Sequence, residues 1–482
     1  MATLSSTGIG SGLDVNGIVS QLMALERKPQ QLLAQARSGL DAQLSAVGKM
    51  QSLVSTMRDA SSNLAALSLW SRATATSQTP DAVAVSTSGA AANGSYSVGV
   101  QALASMQTLA SRSFASAAAE LGEGTLTIEL GNWTTSPAGF APKSGATPVT
   151  ISFGAGETSL AEVRDRINAA DAGVTASIVN DANGARLALR STATGAENGF
   201  KISVTETLDD GIDADGLSAL SYATFGGPST MSRTQLAGNA KATVNGIEVE
   251  SATNTLTGVA EGLNLRLLKT TDGPVEVTVA QDTAAVRDGV NAFVKSFNDL
   301  MSFIRDQTRY DAASKVGGAL QGDRLTTQLQ SQLRSVLNQP SSASSVFGRL
   351  SDVGITMQTD GKLAVNAAKL EVGLGNLPEL KKLLRNDGAA SGDSGFVDRF
   401  KDLGEALLKG GGAFETRSAS LRDRVTRNTR NQESQERRLA LTESRLRTQY
   451  QTLDTRMGQL SSLSGYMSQQ LAMLNGNNSN SR

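Results

Sequence analysis

The sequence predicts an α+β multidomain protein, in which helices from both termini form a coiled-coil leg and β-rich head domains are inserted in the middle. Three observations support this fold class. Residues 30–79 and 379–482 contain no proline, which permits long helices at both ends. Apolar residues recur at heptad spacing near both termini. The middle consists of short alternating runs separated by Gly, Asn, Asp or Pro, a pattern typical of hairpins.

The N-terminal segment favours helix because it is rich in Leu, Met, Ala, Gln and Arg, and no aromatic residue precedes Trp70. Its apolar residues follow helical spacing in two stretches, one before and one after Pro29. A narrow apolar stripe gains most of its stability from a partner helix, so we expect this segment to pack against another one. The two stretches are Val15, Ile18, Leu22 and Leu25, then Met50, Leu53, Met57, Ala60, Leu64 and Leu67.

The middle of the chain, roughly residues 71–285, predicts strands with one helix among them. Thr158 or Ser159 can cap this helix, whose Leu160, Val163 and Ile167 share one face. The predicted strands lie in DAVAVSTSG, GSYSVGVQAL, GTLTIEL, PVTISFG, RLALRST, FKISVTE, AKATVNGIEV and VEVTVAQ.

Two segments after the strands repeat the heptad pattern. Residues 286–304 are interpreted as a core helix, with an interface helix as the alternative, and KGGGAF at 409–414 predicts a joint between two later helices. Residues 446–474 predict a coiled-coil or interface helix, whose stripe only Ser464 interrupts. The candidate interface residues of both ends are Ile18, Leu22, Leu25, Leu446, Tyr450, Leu453, Met457, Leu460, Met467, Leu471 and Leu474.

The composition disfavours catalysis and metal binding. The chain has no Cys and no His, which removes thiol chemistry, the usual general base near neutral pH and the commonest metal ligand. We therefore expect no enzyme, no cofactor and no metal site. GIGSG at 8–12 lacks the context of a phosphate loop, and DDGIDADG at 209–216 lacks key carboxylates of a calcium loop.

An Arg-rich stretch, residues 417–447, carries nine Arg against four Asp or Glu. It is interpreted as a solvated helix face with i,i+4 ion pairs such as Glu433–Arg437. An acidic protein partner is the alternative. Nucleic acid is disfavoured, because no aromatic residues interleave with these Arg residues and the net charge of the chain is −1.

The beginning of the chain does not fit a signal peptide. The first basic residue is Arg27, and Ser6 to Gly12 form no apolar core. No run in the sequence approaches the roughly 20 apolar residues that span a bilayer. We therefore expect export without a cleavable signal peptide and no membrane insertion.

The opening SSTGIGSGLDVNGIVSQLMALERKP resembles the N-terminal signature of the flagellar filament cap family, also called hook-associated protein type 2. GSYSVGVQALASMQTLAS at 94–111 and the segment 240–267 are similar to head-domain motifs of that family. Residues 159–199 resemble a repeat shared by flagellin-like proteins, and YMSQQLAML resembles the terminal helix of the family.

The resemblance implies an extracellular structural cap at the distal tip of the bacterial flagellum, exported unfolded through the flagellar type III channel. It implies a homo-oligomeric ring whose head domains form a plate that retains flagellin and promotes its folding and insertion. The expected partners are further copies of the chain, flagellin, the hook–filament junction protein, a cytosolic export chaperone at residues 440–475, and host mucin. The alternatives are a hook–filament junction or flagellin-like subunit, and a surface adhesin that binds mucin or glycans through the head.

The predicted domain boundaries follow these composition changes. Both ends contribute to the leg, and the outer head domain is inserted into the inner one. The leg comprises 1–45 (terminal helix, partly disordered), 46–70, 286–435 and 436–482 (terminal coiled-coil helix), while the inner head domain comprises 71–112 and 231–285 and the outer head domain 113–230.

Overall fold

The structure is a computed structural model that describes residues 14–89, 91–208, 213–224, 229–313, 315–388 and 392–478, with side chains up to residue 473. The chain divides into two compact units. One is helical and contains the described residues up to Ala66 together with those from Val286 onward; the other, Leu67–Ala285, is built mainly of strands. The predicted α+β class, with helical ends and a β-rich insertion, is confirmed.

The helices concentrate at the two chain ends. The segment predicted as a core helix lies within the fifth helix. The bounds are α1 (Val15–Glu26), α2 (Lys28–Ala65), α3 (Leu67–Trp70), α4 (Leu160–Ala169), α5 (Thr283–Thr308), α6 (Arg324–Asn338), α7 (Ala367–Leu374), α8 (Leu377–Leu384), α9 (Phe396–Leu408) and α10 (Ala413–Asn478).

The strands lie mainly in the second unit, and all ladders are antiparallel. Each of the eight runs predicted as strands contains at least one strand. Several other strands were not predicted, because their sequences lack a clear alternating pattern. The bounds are β1 (Ala73–Ser77), β2 (Val83–Thr87), β3 (Gly94–Ala102), β4 (Thr108–Ala110), β5 (Gly124–Thr135), β6 (Ala138–Pro142), β7 (Val149–Phe153), β8 (Val174–Asp181), β9 (Gly184–Ser191), β10 (Gly199–Glu206), β11 (Ser232–Gln235), β12 (Ala240–Val244), β13 (Ile247–Ser251), β14 (Thr255–Ala260), β15 (Leu263–Leu267), β16 (Val275–Gln281), β17 (Tyr310–Asp311), β18 (Val316–Gly317), β19 (Ile355–Met357) and β20 (Leu363–Val365).

The β-rich unit contains two apolar cores. The first belongs to a five-stranded sheet in the order β1-β16-β3-β12-β13 and a three-stranded sheet in the order β14-β15-β2. The second, whose buried members range from Leu109 to Met231, lies among the sheets β11-β4-β9-β8 and β10-β5-β6, with β7 paired to β5. Because the first core draws on segments both before and after the second, the second is an insertion into the first.

Helix α4 shows how local sequence places one element against the second core. The predicted cap is Ser159: its hydroxyl accepts from the backbone N–H of Glu162, and the Glu162 carboxylate accepts from the backbone N–H of Ser159. The Ser159 hydroxyl also donates to the Glu162 carboxylate, and this hydrogen bond, together with the one from the Ser159 backbone N–H, lowers the pKa of the Glu162 carboxyl below its usual value. The predicted face, Leu160, Val163 and Ile167, is fully buried.

The helical unit is centred on a cluster of phenylalanine rings. Phe293 and Phe297 of α5 contact Phe400 of α9, with ring centroids 5.1 and 5.9 Å apart. The heptad stripe of residues 286–304 is buried at all six apolar positions, so the core-helix interpretation is confirmed. These positions are Val286, Val290, Phe293, Phe297, Leu300 and Ile304. The predicted joint is also confirmed, because α9 ends at Leu408 and α10 begins at Ala413.

We predict that Phe400→Ala lowers the free energy of unfolding of the helical unit by about 3–5 kcal/mol, because the missing ring leaves a cavity between α5 and α9. Urea unfolding followed by circular dichroism at 222 nm measures this change. Val372→Ala is the control, since Val372 is 71% exposed and its truncation should change stability by less than about 0.5 kcal/mol. Equal effects of the two substitutions would contradict the assignment of the core.

Candidate functional site

A single stripe of inward-facing residues runs along α10. Its members are spaced alternately by three and four residues, which keeps them on one side of a helix. Their burial varies along the helix, and polar residues interrupt the apolar ones. The buried or half-buried members are Phe414, Ser418, Leu421, Val425, Asn428, Gln432, Gln435, Leu439, Leu446 and Tyr450.

Helix α2 covers the first half of this stripe. It contributes a row of buried apolar residues that includes Val47, Met50 and Val54, and it packs against both α9 and α10. Pro29 lies in the first turn of α2, where its missing N–H costs no helical hydrogen bond. Within the stripe, the Gln432 side chain donates to Asn428 Oδ1 at 2.8 Å, so part of this interface is polar.

Helix α1 covers the next part. The Asp14 side chain caps it by accepting from the backbone N–H of Gly17 at 2.8 Å. Val15, Val19 and Met23, spaced by four residues, are nearly fully buried. They form a small apolar cluster of their own with Leu439, Leu446 and Tyr450 of α10.

The polar contacts along the helix pair show that the two chain ends run antiparallel. As residue numbers rise in α1 and α2, those of their partners in α10 fall. The contacts are Asn16 with Arg447 (3.3 Å), Arg27 with Glu443 (3.8 Å), Gln30 with Glu436 (3.2 Å) and Arg37 with Thr429.

Beyond Tyr450 the same stripe has no cover among the described residues. The predicted interface residues Leu453 and Leu460 are 44% and 64% exposed, and Met457, Met467 and Leu471 are 40%, 56% and 59% exposed. Leu474 lies in α10, but its side chain is outside the described residues. Residues 453–471 extend about 27 Å along the helix. Within the described ranges no residue buries this apolar surface.

Three further exposed apolar residues lie on this part of α10, and the heptad analysis missed them. Leu463 borders the stripe, whereas Tyr466 and Met473 lie farther round the helix. Leu463, Tyr466 and Met473 are 55%, 60% and 65% exposed. Leu463 follows Leu460 by three residues, and Met473 follows Tyr466 by seven. A search for i,i+3 and i,i+7 apolar neighbours around the main stripe would have found them.

The N-terminal residues of the predicted interface lie on α1. Ile18 is half-buried, while Leu22 and Leu25 are 37% and 61% exposed. The described part of α1 reaches only as far as Tyr450 of α10, so within the chain these three residues do not meet Leu453, Met457, Leu460 or Met467. A role of Ile18, Leu22 and Leu25 in contacts with other molecules stays a prediction.

The Arg-rich segment of α10 makes few ion pairs. In the described ranges, Arg417 pairs with the buried Asp323 at 2.7 Å, and Arg447 pairs with Glu443 at 2.8 Å. The predicted ion pair between Glu433 and Arg437 is not formed, since both side chains extend into solvent. The segment is a solvent-exposed helix face, as expected, with one i,i+4 pair at its end.

Two other types of site are absent from the part of the chain that the structure describes. No group of three or more Asp and Glu side chains is arranged to hold a metal ion. No helix is long and apolar enough to cross a membrane. The paired chain ends, with their uncovered stripe, are therefore the candidate site.

Comparison with known proteins identifies the family. Residues 11–107 match the flagellar hook-associated protein 2 N-terminus, and 237–462 match its C-terminus. The chain is 31% identical to the flagellar hook-associated protein 2 of Escherichia coli K12, over all of both chains. It belongs to the flagellar hook-associated protein 2 family. It is also 32% identical to the A-type flagellar hook-associated protein 2 of Pseudomonas aeruginosa, over 97% of each chain.

The family resemblance extends to structure and to the inserted core. The chain is similar to the D1-D2-D3 domains of the flagellar cap protein FliD from E. coli, with a TM-score of 0.58 and 30% identity, covering 78% of this chain and 99% of that one. Residues 125–193 match the flagellin hook IN motif, which lies in the second apolar core and contains α4. The matched regions of the hook-associated protein 2 family include α1 and most of α10.

We predict that Val19→Asp detaches α1 from α10, because the carboxylate cannot be buried between Leu439 and Leu446. The loss of the buried valine alone is worth about 2 kcal/mol, which corresponds to about thirtyfold faster amide exchange in α1. Hydrogen exchange with mass spectrometry measures this rate. Leu25→Asp introduces the same charge at an exposed position of α1 and should leave exchange unchanged; faster exchange in both variants would rule out the assigned face.

Proposed function

We propose that the chain is a structural cap at the distal tip of the bacterial flagellar filament, where it forms an oligomeric plate with helical legs. Its membership of the flagellar hook-associated protein 2 family supports this role, and the similar protein FliD of E. coli is a flagellar cap protein. The observation that carries the mechanism is the stripe of α10, which the described residues cover up to Tyr450 and leave exposed from Leu453 onward.

In this proposal the β-rich unit is the head and the helical unit is the leg. The head comprises 71–112 and 231–285 with the outer domain 113–230 inserted, and the leg comprises 1–45, 46–70, 286–435 and 436–482. Two separate apolar cores in the β-rich unit support the division of the head. The head shapes the plate that retains emerging flagellin, and no covalent chemistry is required.

The uncovered stripe is the proposed contact with neighbouring subunits. Each Leu or Met that becomes buried contributes roughly 1.5–3 kcal/mol. The free energy gained by burying five such residues can exceed the entropic cost of association and so hold a leg in place. These residues are Leu453, Met457, Leu460, Met467 and Leu471. A contact made of a few independent layers can also be released and remade as subunits are added.

The proposed partners follow from this arrangement. Other copies of the chain and flagellin are the first, since a cap must contact both. The hook–filament junction protein, host mucin bound by the outer head domain, and export without a cleaved signal peptide stay predictions. The alternative functions as a junction protein, a flagellin-like subunit or an adhesin are less well supported, because the relatives matched over their whole length are hook-associated protein 2.

We predict that Leu453→Asp combined with Leu460→Asp abolishes filament growth while both units stay folded. Two carboxylates in the stripe oppose burial against any apolar partner, and both positions are exposed in the single chain. The measurement is filament length by electron microscopy, with circular dichroism of the purified variant to confirm the fold.

The matched control is Thr455→Asp combined with Ser462→Asp. These residues are also seven positions apart and exposed, and they lie on the opposite side of α10. This variant should grow full-length filaments. Full-length filaments from the Leu453 and Leu460 variant would refute the proposed contact.

We predict that a cytosolic export chaperone binds the terminal part of α10, since exposed apolar helices are recognised by helix-in-groove contacts. Deleting residues 440–482 should abolish co-purification of the chaperone. Deleting only 452–482 keeps Leu446 and Tyr450, which pack against α1. This shorter deletion should also abolish co-purification. Undiminished co-purification with both deletions would show that the chaperone binds elsewhere.

A further inference from the structure

A groove runs along one side of the helix pair formed by α10 with α1 and α2. It consists of two neighbouring depressions of about 400 and 330 Å³. The first is lined by Pro29, Leu32, Leu33, Asn431, Ser434 and Gln435. The second is lined by Glu26, Arg438, Leu441, Thr442 and Arg445.

The α10 wall of the groove is one continuous side of that helix. Positions 424, 427, 431, 434, 438, 441 and 445 follow each other at spacings of three and four residues, which places them in one row. All seven side chains are exposed. Two leucines give the groove apolar character: Leu441 on α10 is 74% exposed and Leu32 on α2 is 66% exposed.

The charge of this row is one-sided. Its ionisable members are Arg424, Arg427, Arg438 and Arg445, and in the described ranges none of their guanidinium groups has a carboxylate within ion-pair distance. Of the ionisable residues that line the depressions, only Glu26 is acidic.

Two acidic residues of α10, Glu436 and Glu443, lie on the other side of the helix pair, whereas Asp423 adjoins the row beside Arg424 and Glu26 lines the groove. Glu436 accepts a hydrogen bond from Gln30, and Glu443 pairs with Arg27 and Arg447. The two sides of the helix pair therefore differ. On one side Glu436 and Glu443 have partners within the chain, whereas the groove side presents arginines that form no ion pair in the described ranges, beside apolar side chains.

We propose that this groove binds an acidic amphipathic helix of a separate protein. A third helix laid between α10 and α2 would bury its apolar residues against Leu32 and Leu441. Its carboxylates would face the arginine row, where Arg438 and Arg445 are seven residues, or about 10.5 Å, apart along α10. That distance equals two turns of the incoming helix, so carboxylates spaced by seven residues match both guanidinium groups.

The chemistry of the groove favours a helix over a nucleic acid. Single-stranded nucleic acids are held by aromatic side chains that stack on bases, and the residues that line the groove include no aromatic ring. The leucines between the arginines would make no favourable contact with a phosphate backbone. The groove lies before Tyr450 and is separate from the uncovered stripe, so this proposal does not depend on the proposed cap mechanism.

The test uses the full chain and a fluorescein-labelled synthetic helical peptide, with leucines on one face and glutamates flanking them at seven-residue spacing. We expect binding by fluorescence anisotropy that weakens as salt is added. Arg438→Glu combined with Arg445→Glu should reduce the affinity by at least about tenfold. Leu441→Ser should also reduce it, because the apolar contact is lost.

The matched control is Arg430→Glu combined with Arg437→Glu. Both arginines are exposed, are spaced by seven residues and lie on the outer face of α10, so the net charge changes equally. This variant should lower the affinity by less than about twofold. A version of the peptide with lysine in place of glutamate should not bind.

Four results would overturn the proposal. The acidic peptide could fail to bind, or both arginine variants could lose affinity equally, which would indicate unspecific attraction. An oligonucleotide that competes with the peptide on the unmodified chain, and loses this ability with Arg438→Glu and Arg445→Glu, would make the groove a polyanion site. Self-association of the free chain that these substitutions abolish would make it a contact between copies.

Discussion

The antiparallel pairing of the two chain ends along α10 is the interaction on which the helical unit depends. The β-rich unit is inserted between α2 and α5, so the two parts of the helical unit are separated by more than two hundred residues of sequence. Nothing local in the sequence brings them together. Burial of the apolar row of α2 against α9 and α10 does so, and each fully buried Leu, Val or Met contributes roughly 1.5–3 kcal/mol to that association.

The pairing is uneven along its length. Near its middle, Asn428 and Gln432 of α10 replace apolar residues and hydrogen-bond to each other within the helix, which lowers the gain from burial against α2. Toward the chain ends, a small cluster of Val15, Val19 and Met23 is the last apolar contact. The ion pairs beside it are partly exposed, and such pairs contribute about 0–1 kcal/mol each. The apolar cluster therefore carries most of the stability of this end.

A single repeating pattern runs along α10. Up to Tyr450 its apolar stripe is covered within the chain, and from Leu453 onward the described residues leave it exposed. In the proposed function this exposed part contacts other molecules. The change occurs where the described cover by α1 stops, and the pattern of apolar residues continues across it. A folded protein can in this way present a long apolar surface while its core stays buried.

The sequence by itself determined the helical ends, the strands of the eight clearest alternating runs, the capped helix α4 and the joint before α10. Each of these depends on local properties: proline-free helix formers, alternation of apolar residues, an N-cap followed by Glu162, and a run of glycines. Strands such as β14, with the sequence TLTGVA, escaped because their pattern is mixed and their pairing is long-range.

The tertiary structure alone decided which residues of α1 face α10 and where their cover ends. Helix α1 is apolar on more than one face, so Val15, Ile18, Leu22 and Leu25 formed as regular a stripe in sequence as the row that is buried. The periodicity of the sequence defines the spacing of an apolar stripe. The partner helix and its axial offset determine which stripe is buried. That offset arises from packing between distant parts of the chain, and the spacing of residues in either helix carries no information about it.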